Sequence, residues 1–288
     1  MTNIALLIIY NHRYDKNIPK LNDIYRHRFR NIYHVVPFYD GEMENVIAVY
    51  EHSWFFQGYV SQAYQHLKDK GFTHFFAVAD DMLLNPELNE NNLFEYWGLG
   101  ENECFLDYFH FLPELKWRWY QLRAMKWKLN QRGVEVRNIL PTKQKALEQF
   151  KKHGIPYSNI PVTPFLSWHV EYLYTYLRNY KRRLTDYPLV GGYADIFLVT
   201  SEVMEKFALY CGAFSATKLF VELAIPTALV LSSDNIKLSK DLNLSSGALW
   251  SEKDKEFLKR YNNSLDGLME NFPKDKLFLH PIKLSQWK

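Results

Sequence analysis

The sequence predicts an α/β fold: one mixed sheet flanked by helices, with a helical insertion, the whole of residues 1–288 forming a single domain. Three observations carry this. Short continuous apolar runs, Ile4 to Tyr10 and Phe72 to Ala79 the clearest, suit strands buried on both faces. Between and after them lie segments of helical spacing. From about residue 105 to 183 the composition changes, with 15 Lys and Arg against 5 Asp and Glu, although the whole chain carries only +3. The chain is 47% hydrophobic and 17% aromatic, which excludes a disordered or fibrous protein.

The first strand, Ile4 to Tyr10, ends in polar Asn11-His12-Arg13. Two similar runs follow, Ile32 to Phe38 and Val46 to Tyr50. Ser53 precedes a helix predicted over 54–70, where Phe55, Tyr59, Ala63 and Leu67 recur at helical spacing and Gly71 stops the chain. The strand Phe72 to Ala79 then runs directly into Asp80-Asp81. In the insertion, residues 114–130 place apolar groups on two helical faces with Lys and Arg between. Thr142 caps a second helix over 143–152, and a proline-rich loop through Pro156, Pro161 and Pro164 leads to aromatic residues 168–180. The α/β pattern resumes at Leu189. Gly191-Gly192 makes a turn before a strand to Thr200, and the helix from Ser201 is predicted to end before Gly212. Residues 220–231 form an apolar stretch interrupted by Glu222 and Pro226, and Ser251 with Asp254 opens a helix as a capping box.

The adjacent carboxylates Asp80 and Asp81 close an apolar strand. Ligands in open α/β sheets bind beyond the carboxyl ends of strands, so the pair suits a hard divalent cation, Mn²⁺ or Mg²⁺, bridging a diphosphate. The alternative is a turn cap. The segment Phe75 to Leu84, an apolar strand ending in an acidic pair, resembles the acidic signature of nucleotide-sugar-dependent glycosyltransferases of the GT-A fold. By that likeness Asp81 is the better metal ligand, and Asp80 contacts metal or sugar nucleotide. His280-Pro-Ile-Lys283, with Trp287 beyond, is similar to the C-terminal segment of retaining members, where His completes the metal site and Lys pairs the diphosphate. Gly191, Gly192 and Asp195 resemble the segment shaping the donor-sugar and acceptor pocket, the glycines allowing close approach of a ligand or making a turn.

A lone carboxylate among apolar residues needs a partner, and for Asp195 that partner is a sugar hydroxyl in this reading. Glu222, isolated in the same way, is the candidate base of an inverting transfer, or else a surface helix residue. Tyr10, Asn11 and Arg13 follow the first strand, where the resemblance implies the nucleotide: Tyr10 to stack on the base, Arg13 to meet phosphate.

The resemblance implies a transferase moving a sugar from a nucleotide diphosphate donor to a glycan or lipid-linked acceptor, such as a bacterial surface polysaccharide or lipopolysaccharide. No nucleic acid partner is expected in this reading. Two other readings stand beside it: a non-catalytic protein gripping nucleic acid or anionic lipid through the insertion, and a nucleotidyltransferase using the same acidic pair. Trp117, Arg118, Trp119, Arg123, Lys126 and Trp127 suit peripheral contact with an anionic membrane face, or simple packing on the α/β body. Two cysteines make no disulfide framework and no secretory signal opens the chain, so a cytoplasmic location is expected, at most peripheral to the inner membrane face. No P-loop, dinucleotide-binding glycine motif, nucleophile elbow or paired Cys-x-x-Cys occurs.

Overall fold

The computed structural model describes residues 2–112, 118–136, 138–156 and 187–288. Strands β1 (Ile4–Ile9) and β4 (His74–Ala79) are buried at every position, as their unbroken apolar runs require. With β2 (Asn31–Pro37), β3 (Val46–Val49), β6 (Cys104–Leu106), β9 (Ile196–Thr200) and β10 (Ile236–Leu238) they form a seven-stranded sheet. Its order is β10-β6-β9-β4-β1-β2-β3. All neighbours are parallel except β9, which runs antiparallel to both β4 and β6. Two short ribbons complete the strands: β5 (Leu83–Leu84) with β11 (Phe278–Leu279), and β7 (Phe109–Phe111) with β8 (Val190–Gly192).

The period-2 alternation of strand side chains divides the core in two. Ala5, Leu7, Ile9, Phe75 and Ala77 face one side, against α2 (Gln57–Leu67), α6 (Ser201–Ala216) and α7 (Val221–Ser232). Ile4, Leu6, Ile8, Phe76 and Val78 face the other, against α1 (Asn17–Tyr25), α3 (Leu93–Trp97) and the C-terminal residues Phe278, Ile282 and Trp287. The insertion carries α4 (Arg118–Lys126) and α5 (Lys143–Lys152). Two further helices, α8 (Glu252–Lys259) and α9 (Leu265–Glu270), precede the tail.

Several sequence expectations meet corrections. Residues 105 and 106 belong to β6 inside the main sheet, so the insertion begins beyond β7. Helix α1 escaped the sequence reading, although Ile18, Leu21 and Tyr25 have helical spacing and all are buried. Helix α6 runs through Gly212 to Ala216, because α6 crosses α2 so closely there that a Cβ would sit 2.7 Å from Ser61 Oγ. Residues 221–232 are a helix with Pro226 as its sixth residue.

The face of the insertion nearest the body is packed. Trp127 is buried edge-on against Phe214, 6.0 Å away, and Tyr187, 6.4 Å away. Arg123 lies 4.3 Å over the Trp54 ring and 5.8 Å from that of Phe220. Trp127 therefore serves the interior and offers no indole to a membrane. Trp117, residues 168–180 and the side chains of Arg118 and Trp119 lie outside the described residues. Among the described residues, no helix is long and apolar enough to cross a membrane.

Tyr10 also serves the core, at 0% exposure. Its hydroxyl donates to His34 Nδ1 at 2.9 Å, His34 Nε2 lies 3.0 Å from Asn22 Oδ1, and Asn45 Nδ2 donates to that same oxygen at 3.1 Å. With this set satisfied, His34 is neutral and protonated on Nε2; burial pushes its pKa down to about 4. Neutral His34 contributes its full stability above its unfolded value near 6.5, and that contribution is lost as pH falls towards 4, on the order of 3 kcal/mol in all. Urea unfolding of wild type and His34→Gln at pH 7.5 and pH 4.5 checks this. Wild type is expected to lose the more stability of the two, and equal losses would remove His34 as the cause.

Candidate active site at the carboxyl ends of the strands

The chain leaves β1 towards β2 and β3 on one side of the sheet and returns in β4 on the other. The carboxyl ends of β1 and β4 therefore flank a topological switch point, where an open α/β sheet leaves a crevice for ligand. Asn11 follows β1 there and Asp80-Asp81 follow β4.

Asp80 is 4% exposed. Its backbone N–H donates to Ile9 O at 2.9 Å, and its carboxylate accepts from the Asn11 backbone N–H and, at 3.4 Å, from Asn17 Nδ2 in the first turn of α1. Burial, aided by the neighbouring Asp81 charge, raises its pKa to about 7. Asn11 thus orients a carboxylate through its backbone.

Because β9 runs antiparallel, its beginning lies at the same edge as the ends of β1 and β4. Asp195 stands just before β9, and its carbonyl accepts the Ala79 N–H at 2.9 Å. Burial raises the Asp195 carboxyl pKa; His280 opposes the rise and Asp81 adds to it.

His280 arrives by a different route. Leu279 pairs with Leu83 in the β5–β11 ribbon, and the Ile282 N–H donates to Asp81 O at 2.6 Å, so the tail runs back alongside the acidic pair. His280 is 4% exposed, with Nδ1 2.5 Å from the Tyr193 hydroxyl and Nε2 2.9 Å from Asp81 Oδ1. The second contact is close but not aligned as a hydrogen bond, and Asp81 Oδ1 is buried without a hydrogen-bond partner. Burial disfavours the imidazolium, yet Asp81, Asp195 and Asp80 outweigh it and raise the His280 pKa overall.

Glu222 lies in the first turn of α7. The Tyr120 hydroxyl donates to its carboxylate, Tyr108 is hydrogen-bonded to Tyr120 in turn, and Oε2 is buried without a partner. Burial raises the Glu222 pKa to about 7; Tyr120 pulls it down and Asp195 pushes it up. The surface-helix alternative for Glu222 does not describe this environment.

Other predicted residues stand differently. Tyr10 cannot stack on a base, since its ring is enclosed in the core. Arg13 is partly exposed but engaged by Asp15 at 2.8 Å and Asp40 at 2.5 Å, so a phosphate would have to compete with two carboxylates. Gly191 and Gly192 lie in β8 and not in a turn. A Cβ on Gly192 would sit 2.3 Å from Tyr108 O, so the glycine admits the neighbouring strand. Lys283 is exposed, three residues from His280, and among the described residues it has no ion pair.

Three residues here escaped the sequence reading. Asp107 closes β6 as Asp80 closes β4; it is 2% exposed, held by the hydroxyls of Ser239 and Ser246, with Oδ2 lacking a partner. The run Cys104-Phe-Leu-Asp107 carried the same signal as Ala77-Val-Ala-Asp80, only shorter. Tyr193 is sandwiched between Phe278 and Tyr108, with ring centroids 5.8 and 6.0 Å away. Trp250, 62% exposed, has its ring 5.7 Å from that of His280. Nothing in the local sequence distinguished these two aromatics from the many others.

The site thus gathers Asp80, Asp81, Asp195, His280 and Glu222 from four segments distant in sequence. Among the described residues, no group of three or more His, Cys, Asp or Glu side chains is arranged to hold a metal ion. Asp81 and His280 nonetheless offer one carboxylate oxygen and one imidazole nitrogen side by side, a donor pair suited to Mn²⁺ that leaves coordination positions for phosphate oxygens and water. Comparison with family models and with curated proteins finds no match to this chain.

Proposed function

We propose that the protein is a GT-A-type glycosyltransferase that moves a sugar from a nucleotide diphosphate donor to a glycan or lipid-linked acceptor with the aid of Mn²⁺ or Mg²⁺. One observation carries the reading: at the β1/β4 switch point His280 Nε2 meets Asp81 Oδ1 at 2.9 Å, although the two residues are about 200 apart in the chain and drawn from the two motifs that resemble the family. A coincidental likeness of two short motifs gives no reason for them to meet.

In this reading Asp81 and His280 would hold the cation, with Tyr193 on Nδ1 fixing which imidazole nitrogen faces it. When bound, the ion neutralises charge on the departing diphosphate. Asp195 accepts a hydrogen bond from a donor-sugar hydroxyl, and Lys283 supplies a countercharge to phosphate. The acceptor oxygen bonds to the anomeric carbon as the bond to the diphosphate oxygen breaks. The diphosphate leaves with the electron pair and the acceptor proton passes to Glu222. A Glu222 pKa of about 7 suits that task, since the group is ionised often enough to accept and basic enough to hold the proton.

Thermal unfolding with a panel of nucleotide sugars, with and without Mn²⁺, tests the reading. One donor at about 100 times its Kd should raise Tm by roughly 5 °C, and only with the metal present. A panel without any metal-dependent rise would overturn it.

A further inference from the structure

We propose that Tyr120, brought into the site by the insertion helix α4, is the positioning residue that fixes the Glu222 carboxylate to receive the acceptor proton. The basic insertion would then complete the reaction centre. The role in catalysis rests on the glycosyl-transfer reading; the hydrogen bond itself can be tested without it.

Helix α4 is anchored by two residues that follow Tyr120. Gln121 Nε2 donates to Leu112 O at 3.0 Å, and Arg123, one turn on, lies over Trp54 and Phe220. Phe220 is the residue from which α7 springs, two before Glu222. The contact that seats α4 therefore also sets the spacing between the Tyr120 hydroxyl and the Glu222 carboxylate. Tyr120 is 6% exposed, so its hydroxyl must find a partner inside the protein, and it finds Glu222.

The arrangement is asymmetric in a useful way. Tyr120 donates to the carboxylate while Oε2 remains buried and without a partner. A carboxylate held by one hydrogen bond, with its other oxygen open, is oriented yet free to accept a proton. Tyr108 extends the set, because its hydroxyl is bonded to that of Tyr120. The groups felt by Glu222 are Tyr120 from α4 and Asp195 from the turn before β9; Tyr108, between β6 and β7, is coupled to it in turn. Among these, Tyr120 alone favours the ionised form directly, since Asp195 opposes it.

Tyr120→Phe removes the donor and keeps the ring that fills the interface. Without that bond the ionised form of Glu222 is less favoured, so the acidic limb of the kcat/KM profile should move up by about one pH unit. At pH 7 kcat should fall about fivefold, with KM within twofold and most of the rate recovered at pH 9. Tyr187→Phe removes another buried hydroxyl of the same interface, one that donates to Pro141 O at 3.0 Å, and should leave the profile in place. A Tyr120→Phe profile with an unmoved limb, or an equal shift in Tyr187→Phe, overturns the proposal.

A measurement independent of turnover separates this failure from that of the proposed reaction. Infrared difference spectra, wild type minus Glu222→Gln, isolate the Glu222 carboxyl band, whose titration midpoint should rise in Tyr120→Phe. An unmoved midpoint overturns the positioning role. A raised midpoint in an enzyme that transfers no sugar from any donor supports the Tyr120–Glu222 bond and overturns the glycosyl-transfer reading instead.

Discussion

Asp81→Ala is expected to abolish Mn²⁺-dependent donor stabilisation and to lower turnover by at least about 10³-fold, the loss seen when a principal charge-stabilising group is removed from an active site. The fold should survive, because the Asp81 side chain is 29% exposed and the tail is held by its backbone, through Ile282 N–H to Asp81 O. A second signature accompanies the loss. Part of the upward shift of Asp80, to about 7, comes from the charge beside it. Without Asp81 that carboxyl should ionise at lower pH, while His280, deprived of a carboxylate neighbour, should give up its proton more easily. Carbon-13 NMR of labelled Asp80 and proton NMR of His280 report these changes. A variant with wild-type metal-dependent binding would remove Asp81 from the metal site.

Glu222→Gln should reduce kcat by about 10²- to 10⁴-fold, the usual worth of a positioned base, with little change in donor binding. Stability should move the opposite way. A carboxyl whose folded pKa lies at about 7, above its unfolded value of 4.5, makes its stabilising contribution below pH 4.5 and loses it as pH rises through 7. Glutamine carries no charge to desolvate, so the variant should unfold at higher denaturant than wild type at pH 8, the two converging at pH 4. Lower stability at pH 8 would show that Glu222 holds the fold together and has been misplaced as a base.

The strands of the fold were legible because burial on both faces demands unbroken apolar runs, and β1 and β4 have them. Helix limits were less legible. Gly212 reads locally as a stop signal, but packing against Ser61 overrides that preference. Asp80 and Asp81 could be found because they close an apolar run, where charged residues stand out, whereas His280 was singled out only by the likeness of the tail motif. Tyr10 misled for the reason that Tyr193 hid: among 20 tyrosines the sequence does not say which hydroxyls face inward to His34 and which to His280. Asp107 passed unnoticed because its strand is three residues long. Glu222 was found as an isolated charge, but its partner Tyr120 comes from a segment 102 residues earlier, and only the docking of α4 on α7 joins them.

The register of the β5–β11 ribbon has a consequence for how the protein is made. Asp80 and Asp81 leave the ribosome long before His280, and the ribbon that presents the imidazole forms only when Phe278 and Leu279 are free to pair with Leu84 and Leu83. Throughout most of synthesis the nascent chain carries the acidic pair without its nitrogen partner. Because the closing contact spans about two thirds of the chain, its closure is also entropically late in refolding from denaturant. Under the proposed reading, affinity for a cation should therefore appear as one of the last events of folding, after the parallel strands have assembled.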